Sequence, residues 1–157
     1  MRQVSQLETA YPSRALHVAR PRNRAKKFGI RYERKVQFDF SNLFGPTFRA
    51  SEWFRYRDAN GVGACCMDGV LTLKDRYCIF EMKTTHTSDA WWQLNGLYRP
   101  VADYIFYDKR AKLCEVTRIV DTQSVKWPVP FELLLNLTDF FRWLAEDHQT
   151  PGVLVWK

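Results

Sequence analysis

Two stretches near the middle of the chain carry its densest apolar patterning: Met67-Asp-Gly-Val-Leu-Thr-Leu73 and Tyr77-Cys-Ile-Phe-Glu-Met-Lys-Thr84. Both are rich in β-branched or aromatic residues and predict strands. Asp75 and Arg76 make a polar join, so a hairpin is the simplest connection. The second strand alternates. Tyr77, Ile79, Glu81 and Lys83 share one face, and Cys78, Phe80 and Met82 share the other. An acid and a base therefore stand side by side at the end of an apolar strand, where desolvating a charge is expensive. Asp68 on the neighbouring strand completes the cluster.

The flanking pattern predicts the rest of the architecture. A helix begins near Pro21, with Ala25, Phe28, Tyr32 and Val36 on one apolar stripe. Gly45-Pro46 marks a turn, and Trp53–Arg57 reads as a first strand. Asn60-Gly61-Val-Gly63 is a flexible turn leading into the Asp68 strand. Gly69, beside Asp68, either lets a metal or phosphate approach the backbone or marks a sheet bend. Past Lys83 a polar loop leads to Ser88 as N-cap of a helix over residues 89–99. Pro100 ends that helix. Ala102–Tyr107 and Leu113–Val120 then predict two strands around a turn at residues 108–112. Phe131, Leu134, Leu137, Phe141 and Leu144 give a helical extension, in which Thr138 caps a second segment. Pro151-Gly152 stops it, and Val153–Trp156 adds a strand or covers an edge. The fold class is α/β: a mixed sheet flanked by helices, order αβββαββ, with one crossover requiring a parallel pair.

Composition narrows the picture. At 157 residues, with 46% hydrophobic and 15% aromatic content, the chain can bury a real core. We read residues 1–20 as a basic tail and 21–157 as a single domain. No apolar run approaches the roughly 18 residues a membrane span needs, and the polar start is no signal peptide, so an intracellular, cytoplasmic protein is expected. The net charge of +7 is concentrated. Residues 1–37 hold ten Lys/Arg against two Glu, a net of +8, and the remainder sums to −1. A concentrated basic element is the footprint of a polyanion partner, most often nucleic acid; a solvated tail without a task is the alternative. Arg22, Lys26, Lys27, Arg31, Arg34 and Lys35 lie largely off the helix stripe and are placed to meet phosphates. The four cysteines show no C-x-x-C pair, which argues against zinc or iron–sulfur sites and for buried reduced thiols. His86 stands close enough to Lys83 to meet a substrate, but a surface loop position is the simpler reading. The abundant aromatics suit core packing, with a homodimer interface as the alternative.

Two carboxylates and a lysine converging at a sheet edge suit a hard divalent cation such as Mg2+, which takes oxygen ligands and keeps several waters. The plain alternative is a structural ion pair of Lys83 with Glu81 or Asp68. Asp68, followed after a hairpin by Glu81-Met82-Lys83, resembles the PD-(D/E)xK nuclease motif, with Met67 where the family carries proline. The resemblance covers roughly residues 25–120 and implies a restriction-endonuclease-like core. It implies Mg2+ (or Mn2+) held by Asp68, Glu81 and the Met82 main-chain carbonyl, with Lys83 acting on the attacking water. Gly29-Ile-Arg-Tyr-Glu33 resembles the N-terminal helix of Holliday-junction resolvases and related exonucleases, which makes Glu33 a further ligand; a surface ion pair is the other role open to it. Gln93 resembles the glutamine of RecB-like nucleases, although Tyr98 follows it one residue later than in their glutamine-x-x-x-tyrosine; a solvent-facing glutamine is equally compatible. The resemblance implies a DNA nuclease of recombination or repair, contacting DNA mainly through phosphates. A junction-resolving endonuclease comes first, a RecB-like or phage-type exonuclease second, and a non-catalytic nucleic-acid-binding protein on the same fold is the remaining alternative.

Overall fold

A computed structural model describes residues 6–9, 24–120 and 127–157. Pro21, Arg22, the Ala25 side chain and all of the expected tail except residues 6–9 lie outside the described residues. The order is β1 (Gln6–Thr9), α1 (Arg24–Phe44), a 3₁₀ turn at Gly45–Thr47, β2 (Phe48–Asp58), β3 (Gly61–Thr72) and β4 (Arg76–Thr85). Then come α2 (Ser88–Trp92), a π-helix at Gln93–Tyr98, α3 (Arg99–Ile105), β5 (Arg110–Ile119), β6 (Glu132–Leu134), α4 (Leu137–Ala145) and β7 (Gly152–Val155).

The seven strands form one sheet in the order β1-β2-β3-β4-β5-β7-β6. β1 to β4 are antiparallel neighbours; β4, β5, β7 and β6 run parallel. The expected mixed sheet is present, and the helical crossover between β4 and β5 gives the parallel pair that such a connection demands. The alternation expected for β4 is also present. Tyr77 and Ile79 pack under α2, the π-helix and α3, whereas Cys78, Phe80 and Met82 pack under α1 and α4.

Phe40 sits at the centre of the second layer. Its ring lies 5.2–5.7 Å from those of Phe44, Phe48, Phe80 and Trp156. The α1 stripe runs through Tyr32, Val36 and Phe40 at a spacing of four, while Phe28, expected on it, is 43% exposed.

Several elements differ from expectation. Residues 6–9 form a strand on β2 although the tail pattern shows no period. Ala102–Tyr107 does not form a strand: residues 99–105 are helical. Tyr98, Val101 and Ala102 follow helical spacing and are buried, and Pro100 sits in the first turn of α3, where its missing N–H is harmless. Thr87 rather than Ser88 caps α2. Only the later part of the C-terminal extension is helical, capped by Asn136 rather than Thr138, and Glu132–Leu134 is a strand. β7 is internal; β6 takes the edge.

Phe40 is fully buried, so Phe40→Ala should cost about 3–5 kcal/mol by urea denaturation. Phe38, two residues away on the same helix but 69% exposed, should change stability by no more than about 0.5 kcal/mol when made Ala.

Candidate active site

The site begins with a kink shared by β2 and β3. Phe48 and Leu71 face the α1 layer, but Phe54, Tyr56, Cys65 and Met67 face the opposite layer. In regular strands, residues an even number apart share a face, so both strands change face along their length. The change falls where pairing is interrupted, at Ser51 opposite Asp68, and Ser51 takes a left-handed φ of 51°. Gln37 of α1 straps the kink: its Nε2 donates to Ser51 Oγ (2.8 Å), the Asp68 carbonyl (2.9 Å) and Glu33 Oε1 (3.3 Å).

Beyond the kink β3 parts from β4, whose ladder with it ends at Gly69–Phe80. The Met82 N–H, left without a strand partner on that side, donates instead to Asp68 Oδ2 at 2.8 Å. N–H and C=O of one strand residue point to the same edge, so the Met82 carbonyl also faces the gap. Gly69 is explained by packing. A Cβ there would lie 2.7 Å from the Phe48 ring, which occupies the space that a metal or phosphate was expected to use.

The gap gathers most of the expected residues. Lys83 Nζ lies 3.1 Å from Glu81 Oε1, and the Glu81 side chain is almost wholly buried. Glu81 Oε2 has no hydrogen-bond donor from the protein. Burial holds the Asp68 carboxyl well above the usual range, and the neighbouring Glu81 and Glu33 carboxylates push it further. Glu33 is raised by burial and by Glu81, against the pull of Lys83. Glu81 is raised by burial, with Lys83 and hydrogen bonds to Tyr98 and Asp68 opposing. These shifts place the three acids and the lysine within electrostatic reach of one another. The Cys66 thiol, pushed up to about 12 by burial and by Asp68, offers no thiolate.

An unpartnered buried carboxylate oxygen, a cluster of three acids and an all-oxygen donor set fit a hard divalent cation. The fit is not closed, however. Among the described residues, only Glu132, Glu146 and His148 bring three such ligand atoms within 4.8 Å of one another. That group is elsewhere, and Arg142 already pairs both of its glutamates.

The π-helix settles the spacing of Gln93 and Tyr98. The Arg99 N–H bonds the Leu94 carbonyl five residues back, so each turn holds an extra residue. Residues five apart then lie on one side, as residues four apart do on an α-helix. Tyr98 bears on Glu81, and Gln93 Oε1 is buried without a partner, so Gln93 is not solvent-facing.

Of the basic residues expected to meet phosphates, Lys26, Lys27, Arg31, Arg34 and Lys35 are exposed on α1. Lys35 pairs with Asp39 at 2.8 Å.

One residue escaped the sequence reading, and a second was misplaced by it. Glu115 is fully buried on β5, in register with Glu81. His86 is buried too, not on a surface loop, and its Nδ1 lies 2.6 Å from Glu115 Oε2. The signal for Glu115 was the one that singled out Glu81: an acid inside an apolar strand.

Comparison with known proteins finds no matching family model, curated protein or solved structure. No described helix is long and apolar enough to cross a membrane.

Burial pushes Glu115 up to about 8 and His86 below its ordinary 6.5, so the pair holds one proton at neutral pH. In the unfolded chain, neither group holds a proton above about pH 6.5. Between there and about pH 8 the folded pair binds one proton more, and stability falls as pH rises. Urea midpoints across that window should therefore fall less steeply for Glu115→Gln than for the parent. Equal slopes would remove the shared proton.

Proposed function

We propose that this protein is a metal-dependent nuclease of the PD-(D/E)xK type, hydrolysing phosphodiester bonds in DNA. One observation carries the reading. β3 leaves β4 at Asp68, and the gap brings Asp68, Glu81 and Lys83 together beside Glu33, with one buried Glu81 oxygen unpartnered. An isolated structural ion pair would not need two further acids, whose burial beside Glu81 works against folding.

The chain's own groups divide the work. Asp68, fixed by the Met82 N–H, and Glu81, backed by Tyr98, present carboxylate oxygens to the gap. With Glu33 and the Met82 carbonyl they would hold Mg2+ or Mn2+, which lowers the pKa of a bound water and offsets charge on the phosphate under attack. Lys83 would orient that water and stabilise the developing negative charge. The cations of α1 hold the backbone without reading bases. The domain's small size favours a structure-selective, junction-resolving endonuclease. The shared side of Gln93 and Tyr98 favours the second reading, a RecB-like exonuclease. A non-catalytic DNA-binding protein draws support from the open spacing of the three acids.

Branched, linear and single-stranded DNA, each with Mg2+ or with EDTA, separates these readings. Lys83→Ala should lower cleavage at least about a hundredfold while keeping DNA binding. Binding without cleavage of any substrate by the parent protein would leave only the non-catalytic reading.

A separate test needs no activity. Asp68→Asn removes a buried charge from among like charges, so in EDTA it should melt higher, by about 2–4 °C for each kcal/mol relieved. Mg2+ should raise the melting temperature of the parent and not of the variant. A variant that melts lower than its parent in EDTA would contradict the repulsion argument.

A further inference from the structure

The basic face of α1 does more than present cations. Phe28, Arg31, Tyr32 and Lys35 form one wall of a groove of about 310 Å³, and Arg118 and Lys157 form the other. Phe28 is 43% exposed, and the Arg118 guanidinium lies over its ring at 5.1 Å. Tyr32 is fixed beneath, its hydroxyl donating to the Trp156 carbonyl at 2.7 Å. Among the described residues no Asp or Glu side chain lines the groove, and Lys35 pairs with Asp39.

We propose that this groove seats an unpaired nucleotide of a DNA strand, its base stacked against Phe28 and Arg118 and its phosphate held by Arg31 and Arg118. A site for phosphate alone needs the cations but not a half-exposed aromatic ring. A site for an apolar ligand needs the ring but not the cations. The combination of stacking surface and positive groove is how single strands are held without sequence preference. Position links the groove to the gap. Glu33 directly follows Tyr32 on α1, and Arg118 directly follows Thr117, the β5 partner of Lys83. Groove and gap therefore draw on neighbouring residues of the same elements, α1 and β5. The inference rests on DNA as the substrate, but not on its cleavage.

The test is equilibrium binding in EDTA, read by fluorescence anisotropy with a labelled oligo-dT, a duplex with a single-stranded overhang and a blunt duplex of equal length. The parent protein should bind the first two more tightly than the third. Phe28→Ala should weaken binding to oligo-dT and overhang by about five- to tenfold and change blunt-duplex binding by less than about twofold. Arg118→Gln should weaken all three and lower the salt slope by about one ion. Both side chains are exposed, so thermal melts of the variants should match the parent; a variant that melts lower is replaced by Phe28→Leu, which keeps the packing and loses the stack. Equal binding of overhang and blunt duplex by the parent overturns the proposal, as does a Phe28 variant that weakens all three ligands alike. Loss of cleavage in Asp68→Asn with these binding differences intact supports the groove independently of the chemistry.

Discussion

One hydrogen bond organises the candidate site: the Met82 N–H to Asp68 Oδ2. A strand that loses its neighbour leaves a row of backbone groups to satisfy, and a buried N–H without a partner is costly. Here the departing strand supplies the replacement acceptor from its own side chain. β3 can therefore leave β4 without stranding that amide, and the opening it makes is lined by oxygen. Ser51 and Gln37 hold the kink from the other side, one by an unusual backbone conformation and one by bonds to both strands. Strain of this kind persists only where surrounding structure enforces it.

The opening collects charge that does not favour folding. Burial raises Glu33, Asp68 and Glu81, with Glu81 adding to the rise of the other two, and Glu115 adds a fully buried acid in register with Glu81. Lys83 balances one of them. The folded state is supported elsewhere, by two apolar layers in which Phe40, Phe80, Phe140 and Trp143 are fully buried on one side and Tyr77, Ile79 and Leu94 on the other. A well-packed core can carry the cost of such a cluster of buried charge. His86 moderates part of it by sharing a proton with Glu115.

What the sequence made legible was local. The β3–β4 hairpin, the alternation that pairs Glu81 with Lys83, and the helix carrying Glu33 all follow from residues within a few positions of one another. The kink was hidden because Ser51 is not a glycine and nothing in the pattern demands a positive φ there. The His86–Glu115 pair was hidden because a whole helical crossover separates its members along the chain. Residues 102–107 read as a strand because aromatic and β-branched side chains dominate them, yet burial of Val101 and Ala102 at helical spacing decided otherwise. Gln93 and Tyr98 looked misaligned only on the assumption of an α-helix; the π turn takes up the additional residue.

The charge pattern constrains what can approach the gap. Exposed cations on α1 attract a polyanion, but beneath them lie carboxylates that would repel each phosphate brought near Asp68 and Glu81. At close range in a poorly solvated site the repulsion is the stronger term, because it is screened least. Phosphate can settle over those acids only if their charge is compensated, by protons or by a cation. Protonated acids would lose the negative charge that balances Lys83 and would offer only weak neutral ligands to a hard cation. A divalent cation, if the proposed reading holds, would satisfy the free Glu81 oxygen, offset the charge of the acids and make the gap attractive to phosphate. On the proposed reading, the exposed cations of α1 and the acids of the gap would serve a single ligand set, a nucleic-acid backbone with a metal ion between.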